Sequence, residues 1–335
     1  MRLLKLENVK AGQKLEVALK KSNGSMVMPA GAALTDPIVE RLVKFGISHA
    51  YVQDDEFSDV EVVPALSESI REEVMSTIAG VFAKVDKGCP IDSFAVRKIA
   101  NKIYDTILEI SDKPIDLFST YVVEDARAIH SIDVACMICI ISLKLEKRRD
   151  AIIDLIIAGL LHDINLKDMK EEENSKHAED AMAIIKAEQP FNAVSYISVL
   201  MHHEYLDGSG GPRHYKADKV YEGAKVLTAC DVYDNLVSGY CKTEKMTPTE
   251  AIFRMSNDMT TKLDSESTSI LSKWIAIYPA GATVILNDSR KAVVLSQNRS
   301  MPSRPIIKIC NANGKSGDVI DMLWDSDLMI ESMEI

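Results

Sequence analysis

The chain has 335 residues, a net charge of −11, 47% hydrophobic residues and 27% charged residues. This length exceeds what one ordinary core holds and predicts two or three globular domains. The acidic balance argues against a protein that binds duplex DNA, which needs a basic surface, so no DNA partner is expected.

The apolar segments predict neither a signal peptide nor a membrane span. The run from Ala151 to Leu161 is interrupted by Asp154 and is too short to cross a bilayer. The first five residues lack the long apolar stretch of a signal peptide. We therefore expect a cytoplasmic protein with no membrane partner. The cysteines Cys136 and Cys139 fall inside an apolar stretch and are expected to be buried free thiols.

Residues 1–60 are predicted to form a small N-terminal α/β domain. Leu15–Leu19 and Met26–Met28 have the pattern of strands, and Ile47–Val52 has the pattern of a further strand. Between them, Thr35-Asp36-Pro37 is a typical helix start.

Residues 61–112 are predicted to be linker helices. Apolar residues recur at helical spacing in Ser67–Lys87 and in Asp92–Ile110, so both helices are amphipathic. Their apolar faces suit packing on the next domain or on a second copy of the chain. The sequence leaves both options open, including a homodimer.

Residues 113–275 are predicted to form a helical bundle, and residues 276–335 a short C-terminal β subdomain. The fold class is therefore mainly α. Ile152–Leu161 is apolar nearly all round, which predicts a central helix buried on most faces. The bundle helices are predicted at Val123–Glu146, Asp150–Ile164, Ser175–Glu188, Ala193–Glu204, Glu222–Val237 and Thr247–Leu263.

A set of imidazoles and carboxylates is concentrated on these helices or at their ends. A buried helix that ends in His162-Asp163 needs partners for both side chains. Helical bundles build metal sites from side chains on facing helices. The predicted metal ligands are His130, His162, Asp163, His177, His202, His203 and Asp231.

Seven donors exceed the needs of one tetrahedral ion, so the set predicts a centre of two metal ions. Five nitrogens and two carboxylates suit iron, manganese or zinc better than a soft metal. Asp163 is expected to bridge the two ions with its two oxygens. Two close ions share a hydroxide that attacks a phosphoryl group near neutral pH, so phosphodiester hydrolysis is the matching chemistry.

The ordered motifs resemble the HD-GYP domain, a bacterial branch of the HD phosphohydrolase superfamily. They are His130, His162-Asp163-Ile164, His177, His202-His203-Glu204, Asp207-Gly208-Ser209-Gly210 with Pro212, and Asp231. The resemblance covers roughly residues 113–275 and implies an HD-type helical bundle. The N-terminal domain and the β subdomain also resemble common companions of that domain.

The resemblance implies a signalling enzyme that hydrolyses cyclic di-GMP, or a related cyclic dinucleotide, to pGpG or GMP through a metal-bridging hydroxide. His130, His162, Asp163 and Asp231 would hold one ion, and Asp163, His177, His202 and His203 the other. Asp163 would thus be a catalytic residue as well as a ligand. Iron or manganese is expected, with zinc, nickel and magnesium as alternatives. A protein with a GGDEF domain is a candidate partner.

Four departures from the family pattern affect the predicted substrate contacts. Gly211 replaces the tyrosine of Gly-Tyr-Pro, in the loop Gly210-Gly211-Pro212 that is expected to bind substrate. Lys167 lies one residue later than the family's lysine and is the candidate catalytic cation. Lys242 is the substitute for a missing arginine, and Arg213 is a further candidate for contacting phosphate. The segment before His177 is also shorter than usual, which predicts a reduced lid.

These departures leave a second hypothesis open. In it, the domain binds metal and nucleotide, or a partner protein, without turnover. The family's three-metal members carry a glutamate where this chain has Ala126, so two ions are predicted and not three. Of the nearby residues, Glu204 and Asp207 are expected to stabilise the loop, and Asp234 and Asn235 to support the end of their helix.

Overall fold

The computed structural model describes residues 1–21, 25–45, 47, 49–117, 126–166, 175–188, 190–240, 245–311 and 316–334. The chain divides into two compact units. Unit 1 comprises Met1–Pro64, Asp112–Glu124 and Lys273–Ile335; unit 2 comprises Ala65–Ser111 and Asp125–Ser272. The predicted domain boundaries after residues 60, 112 and 275 stay predictions.

The N-terminal part of unit 1 contains one helix and two short antiparallel ladders. Helix α1 spans Asp36–Lys44. Strand β1 (Arg2–Lys5) pairs with β4 (His49–Val52), and β2 (Leu19–Lys20) pairs with β3 (Met26–Met28). The predicted strand Leu15–Leu19 is wrong over most of its length, because Leu15 forms only an isolated bridge with Val52. Strand β1 was not predicted.

The C-terminal part of unit 1 is a five-stranded antiparallel sheet with the order β8-β7-β6-β5-β9. Alternate residues of β7 are buried, as expected for a sheet with one face on a core. This sheet confirms the predicted β subdomain. Its strands are β5 Thr283–Leu286, β6 Lys291–Ser296, β7 Ile306–Cys310, β8 Ser316–Asp321 and β9 Ile330–Glu334.

Unit 2 is a helical bundle, which confirms the predicted mainly α fold. The central helix is α5, whose residues Ile152–Leu161 are all buried against α3, α4 and α7. The helices are α2 Glu68–Val85, α3 Ser93–Glu109, α4 Ala126–Lys144, α5 Arg149–Leu161, α6 Lys176–Ala187, α7 Ala193–Leu200, α8 Glu222–Ser238, α9 Pro248–Asn257 and α10 Ser265–Trp274.

Helix α4 is long and apolar enough to cross a bilayer by length and composition alone. In the structure, 78% of the most apolar 18-residue stretch of this helix is buried inside the protein. A core helix of a globular bundle has this property, because every face of it contacts another element.

Two predicted helices end four or more residues earlier than expected. Helix α7 ends at Leu200 and not at Glu204, because the Met201 N–H is shared between the carbonyls of Ile197 and Ser198 as the chain turns. The predicted helix Thr247–Leu263 stops at Asn257. Helix α10, which follows it, was not predicted.

Candidate metal centre

Helices α4, α5 and α8 bring His130, His162 and Asp231 together, and we call these three residues the His130 group. The Nε2 atoms of His130 and His162 lie 3.0 Å apart, and Asp231 Oδ1 lies 3.1 Å from His130 Nε2. All three side chains are buried. The other ring nitrogens face outward: His162 Nδ1 lies 2.8 Å from the Gly159 carbonyl oxygen, and His130 Nδ1 lies 2.7 Å from Asp234 Oδ2.

A second group, the His203 group, consists of His177 on α6 with His202 and His203 in the turn after α7. His177 Nε2 lies 2.9 Å from His203 Nε2 and 3.3 Å from His202 Nε2. The Nδ1 atom of His202 lies 2.6 Å from the Val199 carbonyl oxygen. The early end of α7 is what places both histidines in this turn, so that they point inward beside α6.

Asp163 lies between the two groups, directly after α5. Its Oδ2 atom is 3.5 Å from His162 Nε2, and its Oδ1 atom is 3.5 Å from His177 Nε2. The carboxylate is buried, so each oxygen faces one group of ring nitrogens and not solvent. This arrangement suits a carboxylate that is shared between two cations.

The nitrogen spacing in both groups fits a bound metal ion. A carbonyl oxygen only accepts hydrogen bonds, so His162 and His202 donate from Nδ1, and the neutral form of each ring presents an unprotonated Nε2 atom. One proton cannot satisfy the three Nε2 lone pairs that meet in the His203 group. A first-row ion with bonds of about 2.0–2.1 Å sets its ligand atoms roughly 3.0–3.4 Å apart, which is the spacing seen here. Each group could therefore hold a metal ion.

Carboxylates make the electrostatics of the His130 group distinct. Burial lowers the pKa of His130, but its hydrogen bonds to Asp231 and Asp234 outweigh this effect and raise that pKa well above the usual value. Burial raises the pKa of Asp231, but its hydrogen bonds to His130 and His162 bring that pKa well below the usual range. In this group, ionised carboxylates therefore lie directly beside the imidazole nitrogens.

The His203 group has the opposite bias. Burial, followed by the neighbouring imidazoles, lowers the pKa of His202 well below its usual value. Burial also lowers the pKa of His203, to about 4. Near neutral pH these rings are uncharged, which is the form that binds metal.

The glycine-rich loop after His203 is held by two carboxylates. Glu204 accepts hydrogen bonds from the Arg213 N–H at 2.5 Å and the Tyr215 N–H at 2.8 Å. Asp207 accepts from the Ser209 N–H at 2.8 Å. Both residues therefore stabilise the loop, as the sequence indicated.

The loop also lines a cavity of about 530 Å³ that reaches the partly exposed His203. Gly210, Gly211 and Pro212, which were predicted to bind substrate, lie in its wall. Arg213 instead forms an ion pair with Glu179 at 2.9 Å. Lys167 and Lys242 lie outside the described residues. The cavity is lined by Ser175, Lys176, Glu179, His203, Tyr205, Ser209, Gly210, Gly211, Pro212 and His214.

The sequence did not predict how three further residues contact the ligands. Asp234 and Asn235 were expected to support a helix end, and the Asn235 carbonyl accepts the Gly239 N–H at the end of α8. In addition, the Asp234 side chain contacts His130, and the Asn235 side chain donates a hydrogen bond of 3.0 Å to Asp231. Tyr240 stacks on His130 with ring centroids 4.2 Å apart. The signal for Asp234 and Asn235 was their spacing from Asp231, since residues three and four positions along a helix share its face.

Comparisons with known proteins find an HD-domain match that includes all seven predicted metal ligands. Residues 128–267 match the family model described as an HD domain. The chain is 24% identical over 265 residues to the cyclic di-GMP phosphodiesterase PA4108 of Pseudomonas aeruginosa, covering 73% of this chain and 64% of that protein. It is 22% identical over 203 residues to the cyclic di-GMP phosphodiesterase PdeB of Borreliella burgdorferi, covering 56% of this chain and 53% of that protein. The chain thus spans less than two thirds of the length of either relative.

Among solved structures, the chain is similar to Bd1817, a HDG"Y"P protein from Bdellovibrio bacteriovorus. The TM-score is 0.45 at 15% identity, covering 80% of this chain and 97% of that one. The family model and the named relatives confirm the resemblance that the ordered histidines indicated.

Proposed function

Because the chain carries an HD domain over residues 128–267, we propose that it is a metal-dependent phosphodiesterase that hydrolyses cyclic di-GMP. One observation carries the proposal: Asp163 lies between two groups of metal-ligating side chains, with one carboxylate oxygen facing each. The names of the two relatives supply the substrate.

Two divalent ions would occupy the site. The His130 group with Asp163 would hold one ion, and the His203 group with Asp163 would hold the other. Iron or manganese suits these nitrogen and carboxylate donors, since neither group contains a thiolate. When bound, such ions supply positive charge for a phosphoryl oxygen and bring the pKa of water toward neutrality.

The chain's own residues would divide the remaining work between a buried and an open side. His130, His162 and Asp231 are closed off from solvent, so they would fix one ion rigidly. His203 opens on the cavity, which would admit the cyclic dinucleotide. Lys176 in the cavity wall would offset phosphate charge, although the whole chain is acidic, and His214 in the same wall could donate a hydrogen bond. Roles for Lys167, Lys242 and Arg213 in binding phosphate stay predictions.

A cleavage assay tests the proposal. The protein, purified without oxygen and supplied with Mn²⁺ or Fe²⁺, is expected to linearise cyclic di-GMP, and chromatography of the products separates pGpG from GMP. The double variant His162→Ala/Asp163→Ala removes a ligand of the His130 group and the shared carboxylate, so it should lose both turnover and bound metal. His49→Gln, a histidine change in unit 1, is the control and should keep both.

A competing function is a binding module without turnover. Gly211 favours this reading, because a loop without its aromatic ring loses a surface on which a base could stack. Calorimetry that shows cyclic di-GMP binding to the metal-loaded protein, together with no product after long incubation, would support the module and reject the enzyme. A GGDEF-domain partner, a homodimer and a cytoplasmic location stay predictions.

A further inference from the structure

Ser175 has an unusual conformation at the start of α6. Its φ is 49° and its ψ is 2°, in the left-handed region that side-chain-bearing residues rarely adopt. Serine at this position normally caps the helix by accepting a backbone N–H with its hydroxyl. Here the hydroxyl makes no capping bond, and no hydrogen bond joins it to another described residue. The hydroxyl therefore keeps its donor and its acceptors for another group.

Gly211 and the Ser175 side chain compete for the same space. A Cβ atom on Gly211 would lie 2.7 Å from Ser175 Oγ and 3.3 Å from Ser175 Cβ. The first distance is too short for two non-bonded atoms, so any side chain at position 211 would displace the Ser175 hydroxyl. The lack of a side chain at position 211 thus leaves room for the side chain of a serine that precedes α6.

Both residues line the cavity that reaches His203. Lys176 also lines it, so the cavity wall offers a positive charge and a hydroxyl beside the His203 group. The Glu179 carboxylate in the same wall is paired with Arg213. A phosphodiester presents anionic oxygens that accept hydrogen bonds, and hydrogen bonds to charged acceptors are stronger than those between neutral groups.

We propose that Ser175 is a substrate-binding residue whose hydroxyl donates a hydrogen bond to a phosphoryl oxygen of the cyclic dinucleotide. Gly211 is needed because a side chain there would push this hydroxyl aside. The inference rests on the proposed phosphodiesterase function and adds a substrate contact to it. It also explains how a loop without the tyrosine contributes to substrate binding.

Ser175→Gly is the sharpest test, because glycine adopts the left-handed conformation freely and the fold should not suffer. Loss of a hydrogen bond to a charged oxygen should lower kcat/KM for cyclic di-GMP roughly 10- to 100-fold, mainly through a higher KM. Bound metal and the melting temperature should stay at or above wild-type values. A purely structural role for Ser175 would not raise KM in a fully stable, fully metal-loaded protein.

Ser256→Ala is the matched control. Ser256 is exposed on α9, in the same unit, and does not line the cavity. Removal of this hydroxyl should change kcat/KM less than about twofold, because Ser256 contributes no bond to the phosphate in the proposed arrangement.

A double-variant cycle tests the link with Gly211. Gly211→Ala alone should raise KM nearly as much as Ser175→Gly, because it displaces the hydroxyl. In the Ser175→Gly background, Gly211→Ala should add little, since both atoms that it would meet are gone.

The outcomes separate the two proposals. Wild-type protein that binds Mn²⁺ but yields no product from cyclic di-GMP rejects the phosphodiesterase, and this inference with it. If the wild-type protein is active and Ser175→Gly has the same KM as wild type or Ser256→Ala, only the proposed role of Ser175 is rejected. Additive losses in the double-variant cycle also overturn the proposed link with Gly211.

Discussion

The two halves of the centre, the His130 group and the His203 group, would bind a cation through different kinds of interaction. The His130 group is buried, and Asp231 and Asp234 bring negative charge directly to His130. The His203 group contains three imidazoles and, among the described residues, no carboxylate closer than the shared Asp163. The first group attracts a cation by charge, whereas the second offers neutral lone pairs beside an open cavity.

The two ions would thus have the same number of predicted ligands, but the charge and the solvent exposure around them differ. Opposite charge stabilises a buried cation far more than neutral donors do, because little water screens it. We therefore expect the ion of the His130 group to be held more tightly. The ion of the His203 group should exchange more readily and lie nearer the substrate.

The largest effect should come from Asp163→Asn, which removes the one charge that both halves share. Asparagine keeps the volume but offers a single neutral oxygen, so both ions should be weakened. We expect turnover to fall by about 10³-fold or more. Elemental analysis should find less than one ion per chain.

His203→Gln is the comparison for that variant, because it should release one ion and leave the other in place. Equal metal loss in His203→Gln and Asp163→Asn would contradict the division into two halves.

The next effect concerns stability behind the His130 group. Arg71 on α2 forms a buried ion pair of 2.7 Å with Asp133 on α4, one helical turn from His130. Arg71→Met would leave the buried Asp133 carboxylate without its ion-pair partner, which should lower the free energy of unfolding by about 3–5 kcal/mol. Denaturant unfolding at pH 7.5 measures this loss. Arg71→Met/Asp133→Leu should recover most of it, and a double variant as unstable as Arg71→Met would contradict the account.

The same pair should depend on pH. Burial raises the pKa of Asp133 from 3.8 to about 6, although the charge of Arg71 opposes this shift. Between those values the folded chain keeps a proton that the unfolded chain has lost, so this group lowers the free energy of unfolding as the pH rises through that window. The loss caused by Arg71→Met should accordingly shrink below about pH 6, where Asp133 is neutral.

The smallest effect should come from Asp234→Asn, because Asp234 contacts the predicted ligand His130 but is not itself a predicted ligand. Loss of the carboxylate that orients His130 should weaken one of the two ions about 10- to 100-fold and leave the other unchanged. Competition with a chelator measures both affinities. Asp258→Asn changes an exposed carboxylate in the same unit and should have no effect. Weakening of both ions by Asp234→Asn would show that the halves are not independent.

Much of the fold was predictable because the long helices carry a strong apolar period. Helix α5 is apolar nearly all round from Ile152 to Leu161, which in a chain of this composition predicts burial at the centre of a bundle. Short elements were less predictable. Strand β1 and most of the region around Leu15 have weak local patterns, and their pairing is decided by residues some fifty positions along the chain, as Arg2 opposite Val52 shows.

The ligand residues were predictable by type but their partners were not. Asp234 looked like a helix-end residue, because nothing in the local sequence indicates that α8 packs beside α4 with His130 facing it. Gly211 similarly looked like a simple loss of tyrosine. Only the folded chain shows that Ser175 fills the adjoining space.

The sequence by itself determined which side chains can bind metal, their order and the helices that carry them, since donor chemistry and periodicity are local properties. Tertiary structure alone decided which donors meet, that Asp163 faces both groups, and that carboxylates surround one group and not the other. Those features depend on distances between segments remote in sequence, and packing of the apolar bundle fixes them.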